Sequence, residues 1–204
     1  MSFYNDCILP HVIHLAMRNR DLRPYRERTI SAAEGRVLEI GIGSGLNLAF
    51  YGTQAREIVG LEPAARLLGM AHRAASRLAT STILIEGSAE SIPLADRSMD
   101  TVVTTWTLCT IPDVVTALRE MRRVLKPGGQ LLFVEHGQAP EPRVRQWQDR
   151  LTPAWKRIGG GCHLNRPIRE LIERAGFAIS QLETGYMRGP KPMTFMYEGR
   201  ALPA

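Results

Sequence analysis

Short apolar runs ending in glycine or an acid alternate along this chain with longer stretches in which apolar residues recur every three or four positions. The first kind predicts buried strands at Arg36–Ile40, Glu57–Leu61, Thr82–Glu86, Asp100–Thr105 and Gln130–Glu135. The fourth is nearly all β-branched, as befits a strand covered on both faces. The second kind predicts amphipathic helices. One follows Pro63, which suits a first helical turn, and carries Leu67, Leu68, Ala71 and Ala75. Another follows Pro112, carries Val114, Leu118, Met121 and Leu125, and stops at Lys126-Pro127-Gly128-Gly129. A short helix is predicted from Leu46. Ahead of the first strand, residues 3–30 predict two helical pieces. Ile8, Val12, Leu15 and Ala16 share one face of the first, and Asp21 caps the second.

The alternation breaks over residues 137–163. Gln146, Trp147, Leu151, Trp155 and Ile158 predict a helix, and Gly159-Gly160-Gly161-Cys162-His163 a flexible loop. A helix beginning at Asn165 to Pro167 then carries Ile168, Leu171, Ile172 and Ala175 and ends at Gly176. Phe177–Thr184 and Met193–Gly199 predict the last two strands. The whole is an α/β pattern: a doubly wound, mostly parallel seven-stranded sheet with helices on both faces. It forms one domain over 1–204, with a helical lid at 1–30, in which Tyr4 and Phe3 take part, and an insertion at 137–165. In such sheets ligands bind outside the carboxyl ends of the strands. Gly41 to Gly45, Glu62, Gly87-Ser88-Ala89, Thr105 to Cys109 and Glu135-His136 all fall at such ends.

The loop after the first strand carries the most chemistry. Glu39-Ile40-Gly41-Ile42-Gly43-Ser44-Gly45 places glycine at every second position, with an acid two residues before the first. Glycine lets the backbone turn sharply and lie flat against a ligand. Twenty-one residues after Gly41, Glu62 ends the second strand, where an acid binds ribose hydroxyls. The dinucleotide fingerprint G-x-G-x-x-G would need glycine where Leu46 stands. Charge separates the ligands further. A pyrophosphate favours a helix N-terminus free of carboxylates, whereas S-adenosylmethionine carries an ammonium and a sulfonium that Glu39 would attract.

Length and composition narrow the picture. The chain has 204 residues, 44% hydrophobic and 23% charged, as in an ordinary globular domain. No apolar run approaches the roughly 18 residues of a membrane span. The opening residues lack the pattern of a secretory signal. Three cysteines, Cys7, Cys109 and Cys162, lack close metal-type spacing and read as reduced thiols in a cytoplasm. His11 and His14 lie three apart without a third ligand, so no metal is expected. Net charge is +6, and residues 140–200 hold eleven Lys or Arg against six Asp or Glu. That excess reads as a solvated basic surface or as peripheral contact with an anionic membrane. No aromatic-interleaved basic ribbon suggests nucleic acid. Oligomeric state is left open.

With Glu39, the glycine loop and Glu62 in place, the chain resembles the class I methyltransferases, in the branch with the quinone C-methyltransferases. Over residues 35–177 it also resembles the mammalian alkyl-thiol methyltransferases. That likeness rests on Leu38-Glu39-Ile40-Gly41, Thr107-Leu108-Cys109, Arg123 to Gly129, Glu135-His136, Trp147-Gln148, Pro153-Ala154-Trp155 and Gly161-Cys162-His163-Leu164. The resemblance implies a Rossmann-like fold, S-adenosylmethionine as methyl donor with S-adenosylhomocysteine as product, and no metal. It places Glu39, Gly41, Gly43, Ser44, Gly45, Asn47, Glu62 and Pro63 at the donor. Gly87, Ser88, Ala89 and Glu90 would flank the adenine, with Ser88 where many relatives have Asp, and Thr105, Trp106 and Thr107 would close the pocket. The acceptor pocket falls to Tyr4, Cys109, Trp147, Trp155, Cys162 and His163. His136 is the general-base candidate, since an imidazole takes protons near neutrality. The implied acceptor is a small thiol or sulfide. Phosphatidylethanolamine N-methylation, quinone C-methylation and a donor-sensing protein without turnover stay open as alternatives.

Overall fold

Strand β1 (Gly35–Ile40) pairs in parallel with β2 (Ala55–Glu62) on one side and β4 (Met99–Thr105) on the other. Beyond them lie β3 (Ser81–Glu86), β5 (Leu125–His136), β7 (Phe195–Pro203) and β6 (Phe177–Tyr186), in the order β3-β2-β1-β4-β5-β7-β6. Only β7 runs against its neighbours. The computed structural model describes residues 4–204, without the side chains of Asn5 and Asp6. Phe3, an expected lid residue, lies outside the described residues.

Successive strand residues point to opposite faces, and the core divides accordingly. Leu38, Val59, Val102 and Leu131 pack on one face with Leu118 and Met121 of α4 (Val114–Val124) and Ile168 and Ile172 of α6 (Ile168–Arg174). Their neighbours Val37, Val103 and Leu132 pack on the other with Ile30 of α2 (Arg23–Ser31), while Ile58 meets Leu68 and Ala71 of α3 (Ala65–Ala75). The chain steps outward from β1 to β3, then returns to β4 on the other side. Strand order reverses between β1 and β4, and ligand crevices open at such a point.

Four local features differ from the sequence reading. The helix expected from Leu46 is a single 3-10 turn, Leu48–Phe50, because Asn47 turns its side chain inward to the sheet. Strand β5 begins at Leu125, so Lys126 to Gly129 lie within it, and a register break between Met99 and Thr101 absorbs the mismatch. Asp21 caps nothing with its side chain; Asn19 accepts from the Asp21 backbone N–H instead. Finally, the apolar face shared by Ile8, Val12, Leu15 and Ala16 is exposed, with Leu15 72% accessible, and α1 (Leu9–Ala16) turns Leu9 and Pro10 inward instead. The helix is apolar around most of its circumference, so periodicity alone does not select a face. The remaining helices are α5 (Pro142–Ile158) and the short α7 (Lys191–Thr194). No helix among the described residues is long and apolar enough to cross a membrane.

Candidate active site

A cleft of about 360 Å³ opens over the carboxyl ends of β1, β2 and β4. That size lies within the range of small-molecule sites, roughly 300–1,000 Å³. Its floor is the first loop. Gly41 and Gly43 have φ of +65° and +56°, and a Cβ on Gly41 would collide with the Thr107 side chain at 2.5 Å. Glycine is therefore required where the two loops touch. Gly45, with φ +77°, does not line the cleft. It lies against Ala71 and Leu48 and lets α3 close on the loop.

Glu62 lines the cleft, and each of its oxygens accepts one backbone N–H, from Gly43 and from Ala64, both at 3.0 Å. Burial raises its pKa, and those two bonds partly oppose the rise. The bonds aim the carboxylate and leave each oxygen a further lone pair. Pro63, Ser44, Gly87, Ser88, Ala89, Glu90, Thr105, Trp106 and Thr107 also line the cleft. Ser88 donates to Glu90 at 2.7 Å, so its hydroxyl hydrogen is already engaged.

Glu39 is placed differently. It is buried beneath the cleft, accepting from Asn47 Nδ2 at 2.7 Å and Tyr51 OH at 2.8 Å. Burial pushes its pKa up to about 7, against those bonds and the Arg26 charge. Glu39 thus acts through Asn47, which itself lines the cleft and also donates to Thr105 Oγ1. Arg26 was not foreseen. Its Nε donates to Asn47 Oδ1 at 2.8 Å, its guanidinium stacks 4.9 Å from the Trp106 ring centre, and the side chain lines the cleft. Trp106 itself has φ +51°, a strained conformation for a large residue, and its indole N–H is buried without a partner. Over the top lie Leu9, Pro10, Ile13 and Met17 of the first helix and its end, and His14 Nδ1 meets Ser44 Oγ at 2.7 Å.

The expected acceptor residues do not wall this cleft. Trp147 is 55% accessible and stacks under Arg150. Tyr4 donates to the Ile158 carbonyl at 2.8 Å, and His163 Nδ1 meets the Cys109 carbonyl at 3.0 Å. His136 does not line the cleft either; its Nε2 lies 3.1 Å from Cys162 Sγ. Cys109 completes a cluster in which the three ligand-type atoms lie within 4.8 Å of one another. The Cys109 thiol and the imidazole hold Cys162 down to about 4 against burial. The Trp155 indole N–H, buried without a well-formed hydrogen bond, lies close enough to favour that anion too. Cys109, whose thiol donates to the Trp106 carbonyl at 3.5 Å, is pushed well up, chiefly by the neighbouring Cys162 and by burial. Burial would lower His136, but the bond to Cys162 and the charges of Cys162 and Glu135 raise it overall. His136 is therefore engaged by Cys162 and stands off the cleft.

The cluster sits just behind the cleft wall. Thr110 and Gly160, next to Cys109 and two residues before Cys162, line the cleft. Arg166, also unforeseen, clamps this wall by donating to the carbonyls of Leu108 and Ile111. Glu135 braces it from below, accepting from Thr104 Oγ1 at 2.8 Å and from the backbone N–H groups of Thr107 and Leu108.

A glycine loop, a ribose-type carboxylate and a switch-point cleft on this sheet define a nucleoside-binding methyltransferase architecture, and the chain belongs to the methyltransferase domain family, whose profile matches residues 38–133. Among its relatives is the thiol S-methyltransferase TMT1B of Homo sapiens, 35% identical over 176 residues, which are 83% of this chain and 70% of that protein. The Rattus norvegicus protein of the same name is 37% identical over 151 residues, 72% of this chain. That match spans 62% of the rat protein, short of two thirds of its length. The fold also matches a methyltransferase structure from Thermotoga maritima described as a possible histamine N-methyltransferase, at a TM-score of 0.70 and 20% identity, over 98% of this chain and 100% of that one.

Proposed function

We propose that this protein transfers the methyl group of S-adenosylmethionine to a small thiol or sulfide. The observation that carries the donor half is the pairing of Glu62 and Arg26 in one cleft. The donor's amino-acid end is a zwitterion and its ribose offers two hydroxyls. Glu62 suits the hydroxyls, and Arg26 suits the carboxylate through its guanidinium fork. The thiol half is supported by the named activity of the human and rat relatives.

When bound, the donor supplies an electrophilic methyl on a sulfonium. The chain's own work is then alignment and exclusion of water. The glycine loop, packed against Thr107, holds the amino-acid end, and Asn47, fixed by Glu39 and Arg26, sets the loop's inner edge. Leu9, Ile13 and Met17 cover the cleft with apolar atoms. Trp106 offers a π-face that tolerates a sulfonium. A free thiol, with a pKa near ~8.5, is a few per cent ionised at neutral pH, so a modest shift in that balance suffices for reaction.

The test is product analysis with isotopically labelled donor against hydrogen sulfide, methanethiol, a longer alkyl thiol, phosphatidylethanolamine vesicles and demethylmenaquinone. Labelled thioether is the expected product. Labelled lipid or quinone with no thioether would replace the acceptor reading, and donor binding without turnover on the panel would make the protein a sensor.

A further inference from the structure

We propose that Cys109, His136 and Cys162 form a zinc site whose fourth position takes the acceptor thiol; the metal half stands alone, and the thiol half rests on the function proposed above. Two sulfurs and an imidazole nitrogen within 4.8 Å of one another come from three separate segments: the loop after β4, the end of β5 and the loop after α5. Soft thiolates with imidazole select zinc among the common divalent ions. Zinc holds sulfur at about 2.3 Å and nitrogen at about 2.0 Å in a tetrahedron, so closing the cluster needs movements on the order of 1 Å.

The surroundings are fixed in advance. The Cys109 carbonyl is held by both the His163 N–H and its ring, and Arg166 pins the carbonyls on either side. Outer partners of this kind orient metal ligands. Charge also fits. A divalent ion displaces the protons of both cysteines on binding, and the two thiolates so formed balance its charge.

Three protein ligands leave a tetrahedral zinc one open position, the arrangement of sites that do chemistry rather than hold structure. Cys109 immediately precedes Thr110 of the cleft wall and its Sγ lies 3.5 Å from the carbonyl of Trp106, another wall residue, while Cys162 lies two residues past Gly160, so the cluster backs onto the cleft. A thiol entering the fourth position gives its proton to solvent and binds as thiolate. Its sulfur lone pair then forms the new bond to the methyl carbon as the donor's sulfur–carbon bond breaks. The neutral thioether product is a weak ligand and leaves.

The experiment loads the full chain with zinc, removes the excess, and counts metal per chain by mass spectrometry. About one zinc per chain is expected, with loss of most of it in Cys109→Ser and in Cys162→Ser, and retention in the control Cys7→Ser. Circular dichroism of each variant reports folding. Cobalt replaces zinc in a second arm, where thiolate ligation gives a near-ultraviolet charge-transfer band, and added methanethiol should change the visible spectrum. Absence of stoichiometric metal in the folded chain, or full retention in a folded Cys109→Ser,Cys162→Ser variant, overturns the site. Metal binding with a spectrum indifferent to thiol overturns the open position. Metal counting needs no turnover, so a failed acceptor assignment is seen separately in the product analysis.

Discussion

Single residues carry the donor site. Removing the Glu62 carboxylate takes away charged hydrogen bonds to ribose, each worth about 1.5–3 kcal/mol. Glu62→Ala should therefore weaken S-adenosylhomocysteine binding by on the order of 10- to 100-fold in calorimetry; an unchanged affinity would remove Glu62 from the site. Arg26 gives a sharper test because its proposed partner can be deleted from the ligand. Arg26→Met should cost a similar factor against S-adenosylhomocysteine but little against methylthioadenosine, which lacks the carboxylate. Equal losses for both ligands would mean that Arg26 only supports Trp106 and Asn47. Glu62 was legible because strand, acid and glycine loop lie within one short stretch of chain. Arg26 was not: it meets Asn47 across 21 residues from a polar helix whose periodicity marks no ligand face. The cysteines fail as a sequence pattern for the same reason, since 53 residues separate Cys109 from Cys162 while the fold brings them together.

At the level of elements, the insertion shows what a motif can and cannot say. The Trp147-Gln148 pair resembles the thiol methyltransferases, and the tryptophan invited the reading of a pocket wall. The structure reverses the weights. Trp147 faces solvent, while Gln148 is fully buried in α5 and ties four segments together. Its Oε1 accepts from Ala139 N–H at 2.9 Å, and its Nε2 faces the carbonyls of Gly137 and Leu164 at 2.9 Å and of Pro192 at 3.2 Å. Gln148→Leu keeps the volume and strands those groups, each unsatisfied one costing about 1–3 kcal/mol. A total on the order of 3 kcal/mol corresponds to a fall in Tm of roughly 6–12 °C for a domain of this size. Trp147→Ala should leave Tm nearly unchanged. Both are read from thermal melts, and a neutral Gln148→Leu would show that α5 docks by apolar packing alone. The central strands β1, β2, β4 and β5, by contrast, were legible because burial on both faces leaves continuous apolar runs. Helix α1 was legible as a helix but not in its rotation, its apolar residues being spread around the axis.

For the molecule as a whole, the buried Glu39 couples stability to pH and to donor binding. Its carboxyl titrates at about 7 in the folded chain, against an ordinary value of 4.5, because burial disfavours the charge. Below about pH 4.5 the group is neutral in both folded and unfolded chains and costs nothing. As pH rises through about 7, the unfolded chain has already released the proton and the folded chain must follow, so stability declines across that window and levels off above it. Asp100 and Glu120 act in the opposite sense. Against burial, the Arg36 backbone N–H and then Lys126 hold Asp100, and Arg123 holds Glu120, below the usual range, and their contribution is lost as pH falls below the ordinary carboxylate values. Both ion pairs are partly solvent-accessible, so screening keeps that term small. Glu135, likewise buried and pushed up to about 7, adds to the decline, while Cys162, held low, opposes it, so the Glu39 contribution is the part of the fall in Tm between about pH 5 and about pH 8 that its removal takes away. In Glu39→Gln, which still accepts from Asn47, the fall should be shallower. Donor binding reverses the sign of the cost, because a cationic ligand favours the ionised carboxylate. The rise in Tm on adding S-adenosylmethionine should accordingly be larger at about pH 8 than at about pH 5.5, and this pH dependence should weaken in Glu39→Gln. A ligand-induced rise independent of pH in both proteins would mean that the charge of Glu39 is never felt in the cleft and that its role ends at orienting Asn47.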